Sequence, residues 1–406
     1  MDNAATSFPK PPEVIRAMVR FMEEVGANPG RSRHDRSREA EEIVSGTRQS
    51  LARMFNIQDP KRIVFTLNAT DSLNTVIHGV LKPGDHAIMT QMEHNSVIRP
   101  LRLLEAEGMI TVSAAPCDRM GYCDPAGIRE LLRDNTALVA VNHASNVCGT
   151  IQDIVGIRDV IGDIPLLVDA AQTAGALPVD VQAMGIDFLA FTGHKSLYGP
   201  QGTGGLYVRE GISIRPFRQG GTGSVSERET QPDFFPDMLE SGTQNNVGIA
   251  GLGAGVDFIL EQGVDTIRKH ESALIEQFAD GLMRVAGLTL YGPLKPQAQM
   301  PILSVTFDRA LPEGLHPTIG GCGGRAIPAT FEDIHPEEAA SILRDDHEIS
   351  VRVGLHCAPL AHRALGTFPD GTVRFSPGYF NTSEEVDIAI RAIRRIAEKA
   401  ELIDFD

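Results

Sequence analysis

Residues 187–208 read DFLAFTGHKSLYGPQGTGGLYV, and their pattern decides the fold. An apolar run at 188–191 ends in Thr192, Gly193, His194 and Lys195, then passes through a glycine-rich turn into a second run, GGLYV, at 204–208. Short apolar runs bounded by turn residues read as strands buried on both faces, the signature of a sheet covered by helices on each side. A lysine just past such a strand is in most chains a solvated residue. At a ligand-binding sheet edge, the same amine can form a Schiff base.

Working upstream, β-branched runs alternate with helical patterns: RIVFT (62–66) then 70–81, HAIMTQ (86–91) then 96–107, and ITVSAA (110–115) then 125–133. ALVAVNH (137–143), a helix around 154–161 and PLLVDAA (165–171) continue the series. This alternation predicts an α/β fold with a mostly parallel central sheet flanked by helices, whose ligands collect beyond the carboxyl ends of the strands. Downstream, a Gly/Ser/Thr-rich loop (219–232) precedes a helical stretch from 244 to 285, interrupted near Gly263. LTLYG, ILSVTF, a helix at 336–346, ISVRVG, TVRFS and a closing helix at 383–400 with Val386, Ile390, Ile393 and Ile396 on one face predict a smaller C-terminal α+β unit. The expected division is a large domain over 16–254 and a small domain of 1–15 and 255–406.

Composition narrows the function classes. The chain has 406 residues, with 37 Lys+Arg against 53 Asp+Glu and a formal charge of −16, which argues against a nucleic-acid partner. Mean hydropathy is −0.09, and no apolar stretch approaches the roughly 20 residues needed to span a bilayer. The start, MDNAATSFPKPPEV, lacks a basic segment followed by an apolar one, so a cytoplasmic location is expected. Five scattered cysteines (Cys117, Cys123, Cys148, Cys322, Cys357) without metal-ligand spacing argue against a disulfide scaffold or a zinc module.

The residues just past each strand carry the chemistry. Asn68-Ala69-Thr70-Asp71 opens a helix whose first amides lack partners within their own helix, an end that suits either ordinary capping or phosphate. His94 follows HAIMTQ and Asn146 follows ALVAVNH, positions open both to structural roles and to a ligand. Asp169 ends an apolar strand, where an unpaired carboxylate is costly; it is either a helix cap or the partner of a cation such as a protonated pyridine nitrogen, with Gln172 three residues on.

VDAAQ, FTGHKSLYGPQGTGG and VRVGLHCAP together resemble the fold-type I, class V pyridoxal 5′-phosphate (PLP) enzymes of the cysteine desulfurase and selenocysteine lyase branch. The similarity runs from DNAATSFPKP to VRFSPGYFNTSEEVD, and the segment around Cys357 resembles the type II, SufS-like members. The resemblance implies a fold-type I PLP-dependent transferase in which Lys195 holds the cofactor, Asp169 pairs with its ring nitrogen and Gln172 bonds its ring oxygen. It implies further that His94 stacks on the ring and relays protons, that Thr70, Thr192 and His194 hold the phosphate, and that Thr243 serves the phosphate site of a second subunit in a homodimer. Asn146 and Arg374 match substrate-carboxylate ligands, and Cys357 matches a nucleophile that takes sulfur from L-cysteine as a persulfide, leaving L-alanine. Arg352, counted with the substrate ligands, and His356 are expected to favour its thiolate. A protein sulfur acceptor is expected, and a lyase acting on selenocysteine, cystine or cysteine is the alternative.

The sequence departs from that pattern at three places. An insertion over 309–333 carries Cys322, HKSLYGP has one extra residue after the lysine, and RFSPGYFNT sets aromatic residues close to Arg374. Arg31, Arg33, Arg36 and Arg38 with His34 form a basic cluster, read either as a solvated helix start or as a lip that attracts an anionic substrate.

Overall fold

A computed structural model describes residues 1–30, 34–307 and 334–402, with side chains to 398. The chain opens with α1 (Pro12–Arg20) and α2 (Asp35–Met54). Strands and helices then alternate: β1 (Ile63–Thr66), α3 (Ala69–Val80), β2 (His86–Thr90), α4 (Asn95–Ala106), β3 (Thr111–Ala115), α5 (Pro125–Arg129), β4 (Thr136–Asn142), α6 (Ile154–Ile161), β5 (Leu166–Asp169), β6 (Phe188–Thr192) and β7 (Gly204–Val208). These strands form one seven-stranded sheet in the order β1-β7-β6-β5-β4-β2-β3.

β2, β3, β4, β5 and β6 pair in parallel, whereas β7 runs antiparallel to both β6 and β1. The reversal has a local cause: only the Lys195 turn joins β6 to β7, and a parallel return needs a longer crossover of a dozen or more residues. Successive strand residues alternate between two apolar cores. Val139, Val141, Val168, Leu189 and Phe191 face one, and Leu138, Ala140, Leu167, Phe188 and Ala190 the other. That two-sided burial is why the strands read as near-continuous apolar runs.

The helix starts are set by side-chain caps at the strand ends. Asn68 accepts the Asp71 amide at the start of α3, and His94 accepts the Ser96 amide at the start of α4. The helix expected over 125–133 is shorter, ending at Arg129, where the amides of Leu131 and Leu132 turn to carbonyls three residues back. The long stretch after the Gly/Ser/Thr loop divides into α7 (Asn246–Gln262) and α8 (Val264–Leu282), bent by 82° at Gly263, whose φ of +85° favours a residue without Cβ.

β8 (Leu288–Tyr291), β9 (Leu303–Phe307), α9 (Pro336–His347), β10 (Arg352–Gly354), α10 (Pro359–Leu365), β11 (Thr372–Phe375) and α11 (Ser383–Leu402) follow. The strands make an antiparallel sheet, β10-β11-β9-β8, whose core packs with Leu274 and Phe278 of α8 and with Val386, Ile390, Ile393 and Ile396 of α11. The start of the chain joins the two sheets. Asn3 donates its amide to Ser376 just past β11, and Ser7 donates its hydroxyl to the Lys195 carbonyl at 2.7 Å. Among the described residues, no single helix is long and apolar enough to cross a membrane.

Candidate active site

The carboxyl ends of β2, β4, β5 and β6 surround a cavity of about 230 Å³, lined among others by Thr70, His94, Asn146, Asp169, Gln172, Thr192, His194, Lys195 and Arg352. Nine of the twelve residues expected at a site therefore converge, although 282 positions separate the first from the last in the chain (352 − 70). The strand-end rule pointed to His94, Asn146, Asp169 and Lys195 before any side chain was placed, whereas Arg352 entered only with the family resemblance.

Two opposite charges face the cavity. Asp169, 7% exposed, accepts the Ala171 amide on Oδ1 at 2.9 Å. Burial pushes its carboxyl up, while that amide and the Lys195 charge hold it down. Burial lowers the Lys195 ammonium to about 8, against the opposing pull of Asp169, so about a tenth of the amine is free at pH 7. Gln172, on the turn that follows Asp169, donates its side-chain amide to the Ala4 carbonyl at 3.2 Å.

A second end of the cavity gathers polar groups left unpartnered among the described residues. Thr192 Oγ1 and His194 Nδ1 are both buried without a hydrogen-bond partner among the described residues, a costly state that a ligand would relieve. Asn68, Ala69 and Thr70, the opening of α3, line the same cavity. Burial together with Lys195 and Lys10 lowers His194 to about 4, so its ring is neutral.

His94 is fixed by a relay that composition does not reveal. Thr70 Oγ1 lies 2.7 Å from Ser96 Oγ, which lies 2.8 Å from His94 Nδ1, and the Ser96 amide donates to the same nitrogen at 3.1 Å. Nδ1 is thus an acceptor, and the neutral ring carries its proton on Nε2. Burial, reinforced by Lys195 and Arg352, lowers His94 to about 4 and keeps it neutral.

Cys357 is exposed at the end of the turn between β10 and α10. His356 and Cys357 both take left-handed backbone conformations (φ +48° and +59°), each costing about 1–2 kcal/mol for a residue with a Cβ. Cross-chain bonds hold them there: the Asn95 amide donates to the Cys357 carbonyl at 2.7 Å, and Asn146 Nδ2 donates to the His356 carbonyl at 2.7 Å. Arg352 Nη2 approaches Cys357 Sγ at 3.9 Å. The expectation that His356 also lends positive charge is corrected. Burial first, then Arg374, lowers it to about 2, and its Nε2 is spent on Thr372 Oγ1 at 3.1 Å.

Three further expected residues sit differently. Arg374, 1% exposed, is not in the cavity wall; Nη1 donates to the Asn146 carbonyl at 2.9 Å and Nη2 to Asp2 Oδ1 at 2.8 Å, so it stands behind Asn146. Thr243 lines a separate crevice with Gly221, Thr222 and Glu240. In the basic cluster, His34 caps α2 and Arg38 pairs with Asp35, as a solvated helix start does; Arg31, Arg33 and Cys322 lie outside the described residues. Ser96 and Asn142 belong to the site without having been singled out, and the only sequence signal for Ser96 was its place in the first turn of a helix at a strand end.

A seven-stranded, mostly parallel sheet with a lysine, a carboxylate and buried unpartnered polar groups at its strand ends among the described residues defines an α/β transferase of fold type I. The chain belongs to the class V aminotransferase family, whose model matches residues 1–388. It is 34% identical to a probable cysteine desulfurase of Methanothermobacter thermautotrophicus, over 97% of this chain and 94% of that protein. Among solved structures, the apo cysteine desulfurase of Thermococcus onnurineus NA1 superposes with a TM-score of 0.86 at 31% identity, covering 98% of this chain and 94% of that one. The cysteine desulfurase CsdA of Escherichia coli, as its S-sulfonic acid form, gives 0.82 at 27% identity, covering 99% and 95%.

Proposed function

We propose that this protein is a PLP-dependent cysteine desulfurase that converts L-cysteine to L-alanine and takes the sulfur onto Cys357 as a persulfide. The observation that carries the reading is an exposed thiol, pinned through its carbonyl to the residue after His94, beside a cavity that holds an amine opposite a buried carboxylate.

The residues fit PLP. Its phosphate suits the unpartnered Thr192 and His194 atoms and the start of α3, its ring nitrogen suits Asp169, and its aldehyde suits Lys195. When bound, PLP supplies an electron sink for the charge left as a proton leaves the substrate α-carbon. Asp169 would keep the ring nitrogen protonated, Gln172 would bond the ring oxygen, and neutral His94 would pack on the ring. Asn146 and Arg374 would receive the substrate carboxylate, Arg374 offering an Nε–H that has no partner among the described residues, with Arg352 as the cation in the cavity wall. The Lys195 amine would move the α-proton. The Cys357 thiolate would attack the substrate sulfur, forming an S–S bond as the Cβ–S bond breaks.

A second copy of the chain completes this reading. Ile15, Val19 and Met22 leave an exposed apolar stripe along α1 and the π-helical turns that continue it (Phe21–Val25), suited to a homodimer interface. Thr243 lines a separate crevice rather than its own subunit's cavity, which suits service to a partner's phosphate site. The smaller unit, taken as residues 1–15 and 255–406, would carry Cys357 to the cavity of the larger one, 16–254, and a protein thiol would collect the persulfide. The acidic charge and the absence of an apolar spanning helix among the described residues support a cytoplasmic protein without nucleic-acid or membrane partners.

Product analysis tests the reading. With PLP, L-cysteine and a thiol reductant, alanine and sulfide are expected in equal amounts; pyruvate with ammonia in place of alanine would overturn it. A pH profile tests the amine. Because only about a tenth of an amine is free one unit below its pKa, the rate of PLP uptake by the apoprotein should climb from pH 6.5 and level off above about 8, the value for Lys195. A flat profile followed by visible absorbance would contradict that role.

A further inference from the structure

Glu93 is a carboxyl in a place that nothing assigned so far accounts for. It lies between the end of β2 and His94, is 0% exposed, and has no ion-pair partner among the described residues. Its Oε1 accepts the Thr90 hydroxyl at 2.7 Å and the Asn142 amide at 2.8 Å, while Oε2 is buried without a partner among the described residues. Thr90 is the last residue of β2 and Asn142 the last of β4, so one oxygen ties two neighbouring strand ends together at the cavity. Asn142 is also bonded through its side-chain amide to the Met92 carbonyl at 2.9 Å, which doubles the tie, and in the sheet it sits directly opposite Asp169 of β5.

We propose that Glu93 is a positioning residue whose carboxyl clamps the ends of β2 and β4, so that His94 on one side and Asp169 on the other are held at a fixed separation across the cofactor ring. This rests on the PLP reading above and deepens it. The clamp works as a neutral acid. Burial raises its carboxyl to about 8, with the Asp169 charge adding to that effect against the pull of its two hydrogen bonds. An ionised carboxylate would place a second negative charge near Asp169 with no ion-pair partner of its own among the described residues. The proton belongs on Oε2, since Oε1 is occupied by two donors.

The test compares Glu93→Gln and Glu93→Ala in the full-length protein by PLP dissociation constant and by the circular dichroism of the bound cofactor's visible band, which reports how asymmetrically the ring is held. The amide oxygen of Gln can accept both bonds without charge, so Glu93→Gln should bind PLP within about twofold of the unsubstituted protein and keep the band. Glu93→Ala should weaken PLP by about tenfold or more and lose at least half of the band, the size of effect expected when a group that orients a ligand's direct contacts is removed. Equal behaviour of Glu93→Ala and the unsubstituted protein would overturn the clamp, as would a Glu93→Gln protein as impaired as Glu93→Ala. Should Glu93→Ala fail to fold, Thr90→Val removes one of the two donors, and an unchanged band there would overturn it as well. If the unsubstituted protein took up no PLP, the PLP reading itself would fall, and this inference with it.

Discussion

Lys195→Ala is expected to lower alanine formation from L-cysteine by about ten-thousand-fold or more, the scale seen when a covalent anchor and a base are lost in one change. The substitution is a clean one. The structural bonds at position 195 are made by its backbone carbonyl, which accepts the Tyr198 amide at 2.9 Å and the Ser7 hydroxyl at 2.7 Å, and alanine keeps both. What disappears is the amine, whose depressed pKa costs folding stability where it is charged, so the variant should melt no lower than the parent. The sign follows from the folded value of about 8 lying below the ordinary 10.5: between those values the unfolded chain binds the proton that the folded chain has released, and stability rises as pH increases through that window. Borohydride reduction with PLP followed by peptide mapping should label position 195 in the parent and nothing in the variant. A label on another lysine, or a variant within tenfold of the parent, would remove Lys195 from its role.

Much of this site was legible in the sequence because the sheet leaves a linear trace. Strands buried on both faces read as apolar runs, and the residue just past each run is by topology at the cavity, which is how His94, Asn146, Asp169 and Lys195 could be named together. What the sequence hid depends on distance and burial. Nothing in the string says that Asp2 reaches Arg374, 372 positions away, or that Ser96 bridges Thr70 to His94. His356 looks like a cation beside Cys357 until its burial is known, and then it is neutral. The direction of β7 was hidden for a related reason, since an apolar run reads the same in either sense and only the short Lys195 turn reverses it.

Cys357→Ala should reduce sulfur release from L-cysteine to below about 1% of the parent rate while leaving the visible band of bound PLP in place. The two effects separate because of how the turn is built. Position 357 is held by its own carbonyl, through the Asn95 amide, and by the neighbouring His356 carbonyl, through Asn146; neither bond uses the thiol. The left-handed backbone costs alanine about what it costs cysteine, so the turn should persist. The thiol's hydrogen-bonding neighbour is Arg352, at 3.9 Å, and the thiol is missing from the cavity wall that would hold the cofactor. Loss of the sulfur-accepting atom should therefore stop transfer without disturbing the cofactor. L-Selenocysteine makes the comparison decisive. Selenium leaves carbon more readily than sulfur does, so a lyase that needs no acceptor thiol would keep its rate on selenocysteine in the Cys357→Ala protein and on cysteine too. A variant that loses cysteine turnover alone places the nucleophile at Cys357; one that keeps full cysteine turnover makes the protein a lyase, and leaves the strained turn at 356–357 in need of another explanation.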